Sequence, residues 1–155
     1  MQLSKIRIKN YRLLIDTELD VDEKTTLIVG RNNTAKTSCM QCINTVINGN
    51  AFSYNDYPLS KRQNFCDKIL EFMEKKIEYE ELCKQIDIIS VEFIVDYSLD
   101  EPDDNLGALS PFIIDVDVDT TTAIVRAEYR LKTEEKALRD LFEKSCYDIN
   151  GNFSP

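Results

Sequence analysis

A chain of 155 residues suits one domain with a sizeable core, and its apolar (43%) and charged (30%) fractions are ordinary for a globular protein. Its 19 basic and 28 acidic residues give a formal net charge of −9, which argues against a surface that holds nucleic acid by a general excess of Lys and Arg. There is no histidine, so imidazole-based triads, metal sites and proton shuttles are excluded.

In chain order, Leu3, Ile6 and Ile8 alternate with Lys5, Arg7 and Lys9, which predicts a strand that Asn10-Tyr11-Arg12 breaks. A second strand fits Thr17 to Val21, and a third, β-rich run from Thr25 to Val29 ends at Gly30. The short connections predict antiparallel pairing at this end. Thr37 to Ile47 carries helical spacing, with Cys39, Met40, Ile43, Val46 and Ile47 as its apolar stripe, and Asn48-Gly49-Asn50 is a stop signal. A loop with two aromatics and a proline (51–60) leads to one long amphipathic helix from Lys61 to about Ile86, with Phe65, Ile69, Phe72, Met73, Ile77 and Leu82 on one side.

Asp87 to Tyr97 alternates as a strand. Residues 99–110, LDEPDDNLGALS, read as an acidic mobile loop; Pro111 to Val118 and Thr122 to Leu131 read as two further strands. Thr133 to Cys146 is a final helix, and 147–155 an unstructured tail. No apolar run approaches the ~20 residues of a membrane span, and MQLSKIRIKN lacks the apolar centre of a secretory signal. The odd set of five scattered cysteines (Cys39, Cys42, Cys66, Cys83, Cys146) suits free thiols in a reducing cytoplasm, with no membrane partner. Cys39 and Cys42 have redox-motif spacing, but no second close pair or histidine completes a metal site, so core packing is expected.

The densest chemistry lies in GRNNTAKTS, residues 30–38. A phosphate-binding loop is written G-x-x-x-x-G-K-[ST]. Its main-chain N–H groups curl around an anion at a helix N-terminus, the lysine reaches the outer phosphates and the hydroxyl meets Mg²⁺. Gly30, Lys36 and Thr37 fall where this pattern needs them, between a predicted strand and a predicted helix. Ala35 replaces the second glycine. Its methyl costs little at negative φ and about 1 kcal/mol or more at positive φ, with a several-fold loss of affinity expected in the second case.

Together with the N-terminus, the loop resembles the opening of the RecF/SMC-type ABC ATPases, and among them the OLD family, whose heads are often joined to a Toprim nuclease. These begin I-x-I-x-N-[FY]-R and continue to G-x-N-N-x-G-K-[ST]. Ile6, Ile8, Asn10, Tyr11 and Arg12 match the first pattern, and Gly30, Asn32, Asn33, Lys36 and Thr37 the second. PFIIDVDVDTTTAIVRAEYRLK also resembles the β-hairpin region of such heads. The resemblance implies an α/β P-loop fold: the N-terminal lobe of an ATPase head, with antiparallel strands first and a mixed sheet. It implies ATP and Mg²⁺ as ligands, with Gly30, Asn32, Asn33, Thr34, Ala35, Lys36, Thr37 and Ser38 around the phosphates, Thr37 on the metal, and Arg12 near the nucleotide. It also implies head-to-head pairing of two copies in a full-length protein, acting in DNA metabolism or defence.

Other requirements of such heads are missing. Phe112-Ile113-Ile114-Asp115-Val116 has an aspartate after apolar residues but no glutamate next, and no S-G-G-type signature occurs. The C-terminal lobe is therefore expected to be absent, hydrolysis by this chain alone is not expected, and DNA would be met only through missing parts. Asp115, Asp117 and Asp119 share the spacing of a calcium loop, but Thr120 and Arg126 stand where it needs glycine and glutamate, so a solvated strand face is expected. The alternative reading is an interaction domain that keeps the fold without binding nucleotide. A stand-alone phosphotransferase would need a catalytic carboxylate that the sequence does not reveal.

Overall fold

The computed structural model describes residues 2–31, 34–97 and 121–145. The chain forms two compact units: one of residues 1–62 and 88–129, the other of 63–87 and 130–155. The expected acidic loop (99–110), the strand from Pro111 to Val118 with its Phe112–Val116 motif and its aspartates, the tail (147–155), Cys146, Asn32 and Asn33 lie outside the described residues.

The first unit is built on a four-stranded sheet of β1 (Gln2–Tyr11), β2 (Leu14–Asp20), β3 (Ile89–Asp96) and β4 (Thr122–Tyr129), in the order β2-β1-β3-β4. Every pairing among the described residues is antiparallel, so the described sheet is antiparallel rather than the mixed sheet expected. The difference involves Thr25–Val29, expected as a strand, which forms none. High β-propensity does not make a strand unless a neighbour accepts its hydrogen bonds. Ile28 packs on the core cluster, while Leu27 (80%) and Val29 (77%) are exposed.

Alternation sorts the sheet's two faces. Ile6, Ile8, Ile89 and Val91 are buried in one cluster with Cys39 and Cys42 of helix α1 (Lys36–Ile47). The intervening side chains form a charged lattice in register: Arg7 to Glu18 and Glu92, Lys5 to Glu18 and Asp20, Lys9 to Asp16, and Arg126 to Glu92. β1 does not stop at Asn10. That residue takes φ 56°, a region asparagine tolerates, and Tyr11 turns into the core against Phe52 at 5.4 Å between ring centroids. The chain reverses through the two-residue loop Arg12-Leu13, with Tyr11 paired to Leu14.

Helix α1 ends as predicted. Gly49 takes φ 66°, its N–H donates to Val46 O, and Asn50 N–H donates to Thr45 O, a Schellman closure. The buried stripe is Cys39 and Cys42 with Ile43 and Val46 alongside; Met40 and Ile47, expected inside, are exposed.

The long helix expected over 61–86 is two helices, α2 (Leu59–Met73) and α3 (Tyr79–Gln85). Lys75 takes φ 59° and Lys76 N–H donates to Glu71 O, so α2 closes like a glycine-capped helix without a glycine. The break lets Ile69, Phe72, Leu82 and Ile86 meet Leu138 of α4 (Glu135–Ser145) in the second unit's own core. Arg139 lies over the Phe72 ring at 4.0 Å.

Candidate phosphate-binding site

The loop before α1 is held by its own lysine. Lys36 Nζ donates to Gly30 O at 2.6 Å, to Arg31 O, and to Thr34 Oγ1 at 3.3 Å, while the Thr34 hydroxyl donates to Arg31 O at 2.8 Å. An ammonium has three donors, and here they tie the start of the loop to its end. At Gly30 a Cβ would lie 2.9 Å from Thr34 Oγ1, so the Lys36–Thr34 strap needs glycine there.

Ala35 is the N-cap of α1, with φ 64° and ψ 11°. This is the left-handed conformation a glycine favours, and it resolves the question the sequence left open: the methyl is accommodated at a strained backbone position. Its side chain packs against the core cluster. As alanine, the cap offers no acceptor, and the first turn carries no acidic residue. The helix thus presents its partial positive charge with neither a capping side chain nor a carboxylate to offset it. Cys39 N–H to Ala35 O, at 2.9 Å, is a first-turn hydrogen bond.

The remaining predicted residues divide. Thr37 is exposed on the first turn and Ser38 half-buried; among the described residues no hydrogen bond engages the Thr37 hydroxyl, a hard oxygen of the kind Mg²⁺ takes. Asn32 and Asn33 lie outside the described residues. Arg12 is not beside Lys36 in any described hydrogen bond. Its Nε and Nη2 donate to Asp56 Oδ1 at 3.0 and 2.9 Å, its Nη1 to Gln41 Oε1 at 2.5 Å, and it lies 5.1 Å from the Tyr11 ring centroid.

Asp56 and Gln41 are residues to which the sequence assigned no role. Burial pushes the Asp56 carboxyl up, but hydrogen bonds from the Ser53 main chain, Arg12 and the Ser53 hydroxyl, with the Arg12 charge, outweigh it and hold the group below the usual carboxylate range. The S-x-x-D spacing at Ser53 was the one visible sign of this arrangement. Burial pushes the Cys39 thiol up, and burial with the charges of Cys39 and Asp56 pushes Cys42 up to about 12. Cys39 and Cys42 are buried in the core cluster, as the core-packing reading expects. A groove of about 520 Å³ runs past Arg12, Leu13, Ile15, Leu59 and Arg62, and no loop residue lines it.

A glycine-started loop strapped by a lysine thus leads into the uncapped N-terminus of α1. Residues 1–153 match the AAA ATPase domain family, and the chain belongs to it. It is similar to the endonuclease GajA of Bacillus cereus (strain HuB5-5), with 27% identity over 142 residues, 88% of this chain and 20% of the relative. The chain thus spans about a fifth of that relative's length. The AAA/OLD-type resemblance carried by Ile6–Arg12 and Gly30–Thr37 is borne out. Among the described residues no helix is long and apolar enough to cross a membrane.

Proposed function

We propose that residues 30–38 bind ATP with Mg²⁺, and that the chain serves as the nucleotide-binding part of an OLD-like ATPase acting on DNA. In this reading the N–H groups of the loop and of the first α1 turn meet the phosphates, Lys36 exchanges a carbonyl partner for the outer phosphates, and Thr37 meets the metal. Gly30, Asn32, Asn33, Thr34, Ala35 and Ser38 line the cradle, and Arg12 supports it. The observation that carries the reading is the Lys36 ammonium, bonded to the Gly30 and Arg31 carbonyls at a helix N-terminus that lacks a capping side chain.

Binding without turnover is expected of this chain by itself. Lys36 bonds only carbonyl and hydroxyl oxygens, and among the described residues no carboxylate reaches Thr37. Paired heads, DNA engagement and any defence role belong to a fuller assembly; the endonuclease relative, of which the matched stretch is only 20%, supports this. The competing reading is a P-loop domain that keeps the fold and does not bind nucleotide. Calorimetric titration with ATP, with and without Mg²⁺, on wild type and Lys36→Ala decides between them. Saturable wild-type binding that Lys36→Ala abolishes supports the proposal; no binding at millimolar ATP sinks it.

A further inference from the structure

The hairpin tip of β1–β2, the turn at residues 53–56 and helix α1 meet at one side chain, Arg12. Its φ of 51° is unusual for a non-glycine residue, and such a conformation persists where the surroundings over-determine it. They do so here. Arg12 N–H donates to Asp56 O at 2.7 Å, and the guanidinium bridges Asp56 to Gln41. Asp56 is itself fixed: its Oδ2 accepts from the Ser53 N–H at 2.9 Å and the Ser53 hydroxyl at 3.0 Å, and its side chain is only 14% exposed.

We propose that Asp56 is a positioning residue for the phosphate loop: it holds Arg12, and Arg12 through Gln41 fixes how α1 sits on the sheet. The rest of α1's hold on the sheet is apolar, through Cys39, Cys42, Ile43 and Val46. Apolar packing is non-directional and leaves a helix free to slide or rotate by small amounts. A planar guanidinium shared between a carboxylate and an amide oxygen is directional. Gln41 lies five residues beyond Lys36 on the same helix, roughly 7.5 Å along a rigid rod. A displacement at Gln41 therefore reaches the loop undamped, and anion binding depends on sub-ångström placement of donors.

This inference rests on the ATP reading of the loop, and the test separates the two. ATP–Mg²⁺ affinity is measured by calorimetry on wild type, Arg12→Ala, Asp56→Ala, the double variant and Gln41→Leu, each checked for folding by circular dichroism and thermal melting. Arg12→Ala and Asp56→Ala should each weaken binding about tenfold, the double variant no more than either alone, and Gln41→Leu about threefold. If Arg12 instead touches the nucleotide directly, Asp56→Ala frees it and binding stays level or tightens, which overturns the proposal. Additive losses overturn it too. Should Asp56→Ala fold poorly, the exposed Gln41→Leu decides: wild-type affinity there refutes the strut. Absence of ATP binding by wild type removes the nucleotide reading and the inference with it.

Discussion

Ala35→Gly measures what the departure from the phosphate-loop pattern does. Ala35 sits at φ 64° and ψ 11°, and restoring glycine relieves strain of about 1 kcal/mol. Two terms oppose this. The methyl is partly buried against the core cluster, and losing it forfeits about 0.4 kcal/mol, half of one fully buried carbon. The unfolded glycine chain has more freedom, worth about 0.4–1 kcal/mol. The net change in stability is therefore within about 0.5 kcal/mol, a shift of roughly 2 °C or less in Tm.

The affinity argument is sharper. The folded loop already holds Ala35 in the left-handed region, so the strain is common to the free and bound states and cancels. The several-fold loss of affinity expected from the pattern therefore does not follow from φ alone. ATP affinity of Ala35→Gly should stay within about twofold of wild type. Ala35→Val should lose at least about tenfold, because a β-branched residue does not hold that φ. Calorimetric titration gives the affinities and urea unfolding the stabilities. If Ala35→Gly tightened ATP binding tenfold, the strapped loop would be a minor population in solution and the reasoning would fail.

Further outcomes follow from the site and the sheet. Thr37→Ala should remove most of the Mg²⁺ enhancement of ATP binding while leaving metal-free affinity unchanged, read by paired titrations. Glu92→Ala should destabilise the fold by about 1–2 kcal/mol, because a nearly buried carboxylate leaves its 2.7 Å bond to Arg126, read as a lower urea midpoint. Because the folded Asp56 carboxyl titrates below its ordinary range, its contribution is complete above the unfolded value near 3.8 and is lost as pH falls through the lower folded value. Stability of wild type should thus fall more steeply below pH ~4 than that of Asp56→Asn. In thiol alkylation near neutral pH, exposed Cys66 should react first, and Cys42, with its thiol pushed up to about 12, only on unfolding.

Much of the first unit was legible because its information is local. Ile6 and Ile8 against Lys5, Arg7 and Lys9 declare both the strand and its two faces, and Asn48-Gly49-Asn50 declares the end of α1. Lys36, Gly30 and Thr37 were readable because the loop's chemistry is packed into consecutive residues. Other features depend on partners far along the chain. Thr25–Val29 has the composition of a strand but lacks the pairing that would make it one. Lys75 caps α2 in a conformation for which lysine gives no signal, so one amphipathic pattern hid two helices. Arg12 bonds residues 44 and 29 positions away, and nothing in the local sequence marks Asp56 or Gln41 as its partners.

The net charge of −9 bears on ATP through its distribution. A polyanion in an acidic protein needs a local region where carboxylates are absent or already occupied. On the sheet they are occupied: Asp16, Glu18, Asp20 and Glu92 each face Lys5, Arg7, Lys9 or Arg126, on the face opposite the core. At the loop they are absent: the first turn of α1 carries none, and Lys36 bonds only carbonyl and hydroxyl oxygens. Asp56, which reaches α1 only through Arg12 and Gln41 in the described hydrogen bonds, is bonded to Arg12 and Ser53. A carboxylate near Lys36 would act over a few ångströms at low effective dielectric, whereas distant exposed acids are screened beyond about 10 Å. On the proposed reading, phosphate at the α1 N-terminus would meet the Lys36 ammonium and a first turn without carboxylates, whatever the sign of the whole chain.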